Sequence, residues 1–166
     1  MKTVEAIRQG KRGILIQMPC RSGKSFLMAE MIKNLKGYGL VLVHRKELMK
    51  QHKALLNELS ITNARVASVF TEANHLDERE KPSVIFIDEC HLSEASSYKK
   101  VCNHYKVLVV GFTATPTRLN GDRLSLFDCI VQGITANELM KRGAISNYDY
   151  YAPNIGIDTS DMAIVR

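Results

Sequence analysis

Along this chain, short continuous apolar runs alternate with stretches whose apolar residues recur at helical spacing. The runs are Gly13-Ile14-Leu15-Ile16, Leu40-Val41-Leu42-Val43, Val66-Ala67-Ser68-Val69-Phe70, Val84-Ile85-Phe86-Ile87 and Val107-Leu108-Val109-Val110. Strands apolar at every position, rather than at alternate ones, belong to parallel sheets covered on both faces. Between them, Phe26, Leu27, Met31, Ile32 and Leu35 predict a helix beginning near Ser25 and closed by Gly37 and Gly39. Leu48, Leu55, Leu56 and Leu59 form the expected stripe of a helix from Lys46 to Leu59, and a further helix is expected near Glu94–His104. Residues 2–9 read as a short helix stopped by Gly10, and the polar stretch Thr71–Pro82 has room for a helical turn. The strand ending at Gly111 leads into a polar loop, Thr113–Gly121. Thr135 and Glu138 make a capping box for a helix running to Lys141 and stopped by Gly143. Tyr148–Ala152 reads as a last strand and residues from Pro153 onward as a tail. The alternation predicts an α/β fold, a mostly parallel sheet with helices on both faces.

Composition narrows this only slightly. A chain of 166 residues with 45% hydrophobic and 24% charged residues suits one ordinary globular domain. No apolar run approaches the ~20 residues needed to span a bilayer, and the N-terminus is too polar for a signal peptide; a cytoplasmic protein without membrane contact is expected. Cys20, Cys90, Cys102 and Cys129 show neither the paired spacing of a zinc site nor a disulfide framework. A net charge of +6 is compatible with a polyanionic partner.

Candidate chemistry begins where the first strand meets the first long helix. The stretch Met18-Pro19-Cys20-Arg21-Ser22-Gly23-Lys24-Ser25 lies at that junction, where unpaired helix N–H groups and the positive end of the helix dipole favour an anion. Gly23 lets the backbone approach a phosphate, Lys24 brings a compact cation, and the Ser25 hydroxyl can ligate Mg2+. Arg21 and Ser22 complete the candidate nucleotide loop. Gly-Lys-Ser also occurs by chance, and two positions depart from the full pattern: Met18 replaces the first glycine, and Arg21 stands where a small residue is common. At the end of another predicted strand come Asp88-Glu89-Cys90-His91. Ligands of open parallel sheets bind at the carboxyl ends of the strands, so Asp88 is expected to hold Mg2+ and Glu89 to activate water at a γ-phosphate. By itself the same stretch could be a solvated acidic turn. Cys90 reads as a small buried spacer, and His91 as either a surface histidine or a neighbour of the γ-phosphate.

Taken together these motifs resemble the superfamily 2 helicases and translocases, in the DEAD/DEAH-like branch that includes phage helicases and restriction-motor subunits. Asp88-Glu89-Cys90-His91 is a DECH form of motif II, Leu42–Leu48 (LVHRKEL) looks like motif Ia, and Gly111–Arg118 (GFTATPTR) looks like motif III. The resemblance implies a RecA-like fold over residues 1–152, with 153–166 a tail or the start of a linker to a second RecA-like domain, absent from this chain. It implies ATP and Mg2+ as ligands, Arg45, Lys46, Thr117 and Arg118 as nucleic-acid contacts, and Thr113, Ala114 and Thr115 as a relay between the ATP site and the strand. The form of motif Ia favours DNA over RNA. Many relatives read adenine with a glutamine upstream of the phosphate loop, and Gln9 stands too close to the loop to match it. The segment between Leu59 and Val66 is shorter than in typical relatives.

The expectation is therefore the ATP-binding first motor domain of an ATP-dependent DNA helicase or translocase of the phage or bacterial kind, weakly active by itself. The alternative is a non-catalytic module that binds nucleotide or nucleic acid and regulates another machine. A small phosphate-loop kinase is disfavoured by the motif III segment.

Overall fold

In the computed structural model, which describes residues 2–116 and 123–146, the five apolar runs become strands. These are β1 (Gly13–Gln17), β2 (Gly39–Val43), β3 (Ala64–Ser68), β4 (Val84–Asp88) and β5 (Leu108–Thr113); a sixth, β6 (Cys129–Gln132), joins them. The helices are α1 (Lys2–Arg8), α2 (Lys24–Lys33), α3 (Lys46–Glu58), α4 (Val69–Asn74), α5 (Ser96–Tyr105) and α6 (Ala136–Lys141). All strand pairs are parallel, in the order β3-β2-β4-β5-β1-β6. Parallel neighbours need crossover connections, and the intervening helices supply them.

Because side chains alternate across a strand, each run feeds two separate cores. Ile14, Ile16, Val41, Val43, Phe86, Val110 and Phe112 lie on one face with Met28, Ala29 and Ile32 of α2 and Leu56 of α3. Leu15, Leu40, Leu42, Ile85, Ile87 and Val109 lie on the other with Val69 and Ala73 of α4 and Tyr98, Val101, Cys102 and Tyr105 of α5. Burying each Val, Leu, Ile, Phe or Met side chain among them contributes about 1.5–3 kcal/mol relative to leaving it in water. Among the described residues, no helix is long and apolar enough to cross a membrane.

Several sequence expectations are corrected. Val69 and Phe70 do not extend β3; the chain turns at Ser68 into α4, which buries Val69, Glu72 and Ala73 and leaves Phe70 60% exposed. The turn is anchored by charge: the buried Glu72 carboxylate accepts hydrogen bonds from Arg65 of the edge strand and from the Tyr105 hydroxyl (2.7 Å). Gly111 does not end β5. The strand continues through Phe112 to Thr113, and a glycine is required because a Cβ there would lie 2.4 Å from the Phe127 ring and 2.7 Å from the Cys90 sulfur. The buried face of α2 is Met28, Ala29 and Ile32, while Phe26 and Leu27 are exposed. In α3, His52 and Leu56 are the buried positions, and Leu59 is exposed.

Strand β6 was not expected from the sequence. Only alternate residues of it are shielded, and Ile130 remains 55% exposed at the sheet edge, so its apolar pattern is weak. Its position is fixed instead by Asp128, whose carboxylate accepts the backbone N–H groups of Arg12 (2.8 Å) and Gly13 (2.9 Å). The capping box is formed as expected, with Glu138 N–H donating to the Thr135 hydroxyl oxygen (3.2 Å) and Thr135 N–H to the Glu138 carboxylate (2.8 Å). The expected strand Tyr148–Ala152 and the segment 153–166 lie outside the described residues.

Candidate functional site

Strand order brings the candidate residues together. β4, β5 and β1 are consecutive neighbours, with Asp88 level with Phe112 and Thr113 level with Gln17. The carboxyl ends of these strands therefore open side by side, carrying Asp88–His91, Thr113–Thr115 and the loop Met18–Ser25. β2 flanks β4 and adds His44 and Arg45 at the same end.

The loop is shaped by its backbone. Gly23, with φ +84°, and Arg21, with φ +58°, take left-handed conformations, which turns the chain sharply before α2 begins at Lys24. No side chain caps this helix, so no side-chain acceptor takes up the N–H groups of its first turn. Ser22 Oγ donates to the Pro19 carbonyl (2.6 Å), and Lys24 Nζ donates to the carbonyls of Pro19 (3.0 Å) and Met18 (3.4 Å). The ammonium is thus folded over the concave side of the loop, where a phosphate would compete for it. Met18 stands in place of glycine for a structural reason. Its side chain is buried in the core beside Gly133, where a Cβ would come within 2.6 Å of the Met18 Cγ, and its N–H donates to the Thr113 carbonyl (3.0 Å).

Asp88 is buried at 6% exposure. Its Oδ2 lies 2.8 Å from His52 Nε2, and its Oδ1 accepts the Glu89 N–H (3.0 Å). Burial works to raise its pKa, but the hydrogen bond and charge of His52, the Glu89 N–H and nearby Lys24 outweigh burial and hold the carboxyl below its ordinary value. An ionised carboxylate only accepts hydrogen bonds, so Nε2 of His52 is the donor. Glu89 follows in a left-handed conformation, φ +51°, a state costing of order 1–3 kcal/mol and typical of residues held for function. Its carboxylate reaches His91 Nδ1 at 3.3 Å, and the same nitrogen lies 3.3 Å from Thr113 Oγ1. Thr113 Oγ1 in turn accepts the Thr115 N–H (3.1 Å). Burial, reinforced by Glu89 and Asp88, pushes the Cys90 thiol pKa up, which leaves Cys90 inert as a nucleophile and a spacer as expected.

His44 and Arg45 close the β2 side. Burial, with Arg45 and His91 close by, lowers the pKa of His44 and keeps it neutral near pH 7. Arg45 and Lys46 are exposed at the start of α3. Ala114 lies half-buried between Thr113 and Thr115, whereas Thr117 and Arg118 lie outside the described residues. The donor set suits magnesium: the Ser25 hydroxyl in the first turn of α2 and the Asp88 carboxylate are hard oxygens, with Lys24 near enough to act on Asp88. Among the described residues no three His, Cys, Asp or Glu side chains form a metal cage, and magnesium needs none when substrate phosphates and water complete its shell.

His52 was not expected as part of the site. The signal was present in its spacing, four residues after Leu48 and four before Leu56, which places it on the buried stripe of α3. What the spacing does not reveal is that the stripe passes under Asp88.

Residues 1–77 and 55–118 match the family model described as Type III restriction enzyme, res subunit. A 51.5 kDa protein of Lactococcus phage (isolate 7-9) is 34% identical over 151 residues, covering 86% of this chain and 33% of that protein. The putative ATP-dependent helicase IRC3 of Saccharomyces cerevisiae is 29% identical over 196 residues, covering 96% of this chain and 28% of that protein. The chain thus spans about a third or less of the curated relatives it matches. Among solved structures, the Hef helicase domain of Pyrococcus furiosus aligns with a TM-score of 0.66 at 19% identity, covering 90% of this chain and 40% of that one. The UvsW helicase of bacteriophage T4 aligns at 0.59 and 15% identity, covering 78% of this chain and 58% of that one. At such identities the structural likeness speaks for the fold.

Proposed function

Given that the chain belongs to the family of the Type III restriction enzyme res subunit, we propose that this helicase-type motor domain binds Mg·ATP and drives a DNA helicase or translocase. It would hydrolyse ATP to ADP and phosphate when paired with a second RecA-like domain, in the same chain or in trans. The observation that carries the reading is the convergence of Lys24, at the helix-opening loop, with the buried, ionised Asp88 on a nearby strand end.

In this reading the N–H groups opening α2, with Arg21, Ser22 and Gly23, cradle the phosphates. Lys24 transfers its ammonium from the Met18 and Pro19 carbonyls to the β- and γ-phosphates. Ser25 and Asp88 hold the magnesium ion, which when bound neutralises developing charge on the phosphates. Glu89 orients the attacking water and accepts its proton. His91 reports the state of the γ-phosphate to Thr113, Ala114 and Thr115, and Arg45 and Lys46, with Thr117 and Arg118, contact the DNA backbone. DNA is preferred to RNA on the form of the motif Ia segment, Leu42–Leu48.

An arginine finger from a partner domain is worth about 10³–10⁵ in rate, so the 166-residue chain by itself should bind Mg·ATP but turn it over slowly. Titration with a fluorescent ATP analogue tests this. Lys24→Ala is expected to lose binding, and Glu89→Gln to keep binding but lose the residual turnover. An unchanged affinity in Lys24→Ala would remove the basis of the proposal.

A further inference from the structure

Resting on the Mg·ATP reading above, we infer that His52 is a positioning residue for magnesium binding, one that locks the Asp88 carboxylate in the orientation the ion requires. His52 lies in the middle of α3, distant in sequence from the phosphate loop and outside the four residues of the Asp88–His91 motif. It is nevertheless 4% exposed, and its Nε2 reaches Asp88 Oδ2 at 2.8 Å, the shortest side-chain contact that Asp88 makes. A polar ring on the apolar stripe of a helix needs a reason, since a hydrophobic residue there would pack without any requirement for a partner.

The geometry supplies the reason. An aspartate on a strand end can rotate its carboxylate about the terminal torsion, which is broad and poorly constrained. Here both oxygens are held from the protein side, Oδ2 by His52 and Oδ1 by the Glu89 N–H. Each oxygen retains a further lone pair, so two acceptor positions stay fixed while the plane cannot turn. Partners that orient a metal ligand from behind commonly matter about 10–100-fold in metal affinity. The His52 N–H also gives the buried carboxylate a hydrogen bond from within the core, so Asp88 Oδ2 is not left unsatisfied on that side.

The test compares affinity for an ATP analogue with magnesium and with EDTA, using the full 166-residue chain. In the wild type, magnesium should tighten binding. In His52→Ala the EDTA affinity should stay within about twofold, because the phosphate loop is untouched, while the magnesium-dependent gain shrinks by about 10–100-fold. His52→Gln, whose side-chain amide can donate from roughly the position of Nε2, should recover most of that gain. A His52→Ala protein that keeps the full magnesium gain overturns the inference and leaves the ATP reading standing. A wild type that shows no magnesium gain overturns the ATP reading, and the role of His52 with it. Failure of both variants to fold also overturns the inference, since His52 would then serve folding and not the ion.

Discussion

His91 Nδ1 lies 3.3 Å from Thr113 Oγ1, across the gap between the Asp88–His91 turn and the end of β5. Because the same nitrogen also lies 3.3 Å from Glu89 Oε2, one imidazole touches both the candidate general base and the segment that leads toward the candidate DNA face. Thr113 is fully buried, so a change in its hydrogen bonding is not absorbed by solvent.

Replacing Thr113 with alanine removes the acceptor of the Thr115 N–H and the partner of His91 together. The expected result is little change in ATP affinity and a loss of DNA stimulation of ATP hydrolysis. Couplings between sites commonly amount to about 5–150-fold. ATPase rates with and without single-stranded DNA, measured with the second RecA-like domain supplied, check this. An unchanged stimulation ratio would show that the contact relays nothing.

Arg45 caps the start of α3 without a side-chain hydrogen bond to the helix, and Lys46 follows it, both exposed. Phosphate contacts release counterions, so each contributes to the salt dependence of binding. Arg45→Ala is expected to weaken DNA binding evenly across sequences and to reduce the slope of log affinity against log salt by about one. Fluorescence anisotropy over a salt series would reveal this; a weaker affinity with an unaltered slope would argue against a phosphate contact.

Gly111 is hemmed in by Phe127 and Cys90, at 2.4 Å and 2.7 Å from the position of a Cβ. Overpacking of this kind costs about 1–3 kcal/mol. Gly111→Ala is expected to lower the urea midpoint, and Phe127→Leu in the same chain to recover part of the loss by vacating the ring. If the double variant is as unstable as the sum of its single changes, the clash is not with the ring.

Acid sensitivity should be set by carboxylates tied to the backbone and to cations. A hydrogen bond from Lys99 (2.6 Å), with further help from Ser125, holds Glu94 at about 2, and the N–H groups of Gly13 and Arg12 lower Asp128. Both folded-state values lie below those of the unfolded chain. Their stabilisation is therefore complete above the unfolded carboxylate pKa, about 4, and is lost as pH falls through each folded-state value, which for Glu94 is about 2. The Tm should decline over that window, and Asp128→Asn should be less stable at pH 7 yet show a shallower decline. Parallel declines for the two proteins would count against Asp128 as a contributor.

Much of this molecule was written in local sequence. The five apolar runs, the loop from Met18 to Ser25, the Asp88–His91 turn and the Thr135–Glu138 capping box depend on short-range rules: periodicity, glycine conformations and hydrogen bonds across three residues. Those rules operate before the chain folds, so they can be read without it. The tertiary structure decided what depends on neighbours distant in the chain. Gly111 is a packing glycine and not a strand end, because Phe127 and Cys90 arrive from elsewhere. β6 exists because the Asp128 carboxylate captures the N–H groups of Arg12 and Gly13, in spite of its own weak pattern. His52 meets Asp88 because α3, packed against β3 and β2, brings its buried stripe within reach of the end of β4. A sequence states which residues are apolar, polar or charged; which polar group a buried one meets is fixed only when the strands take their order in the sheet.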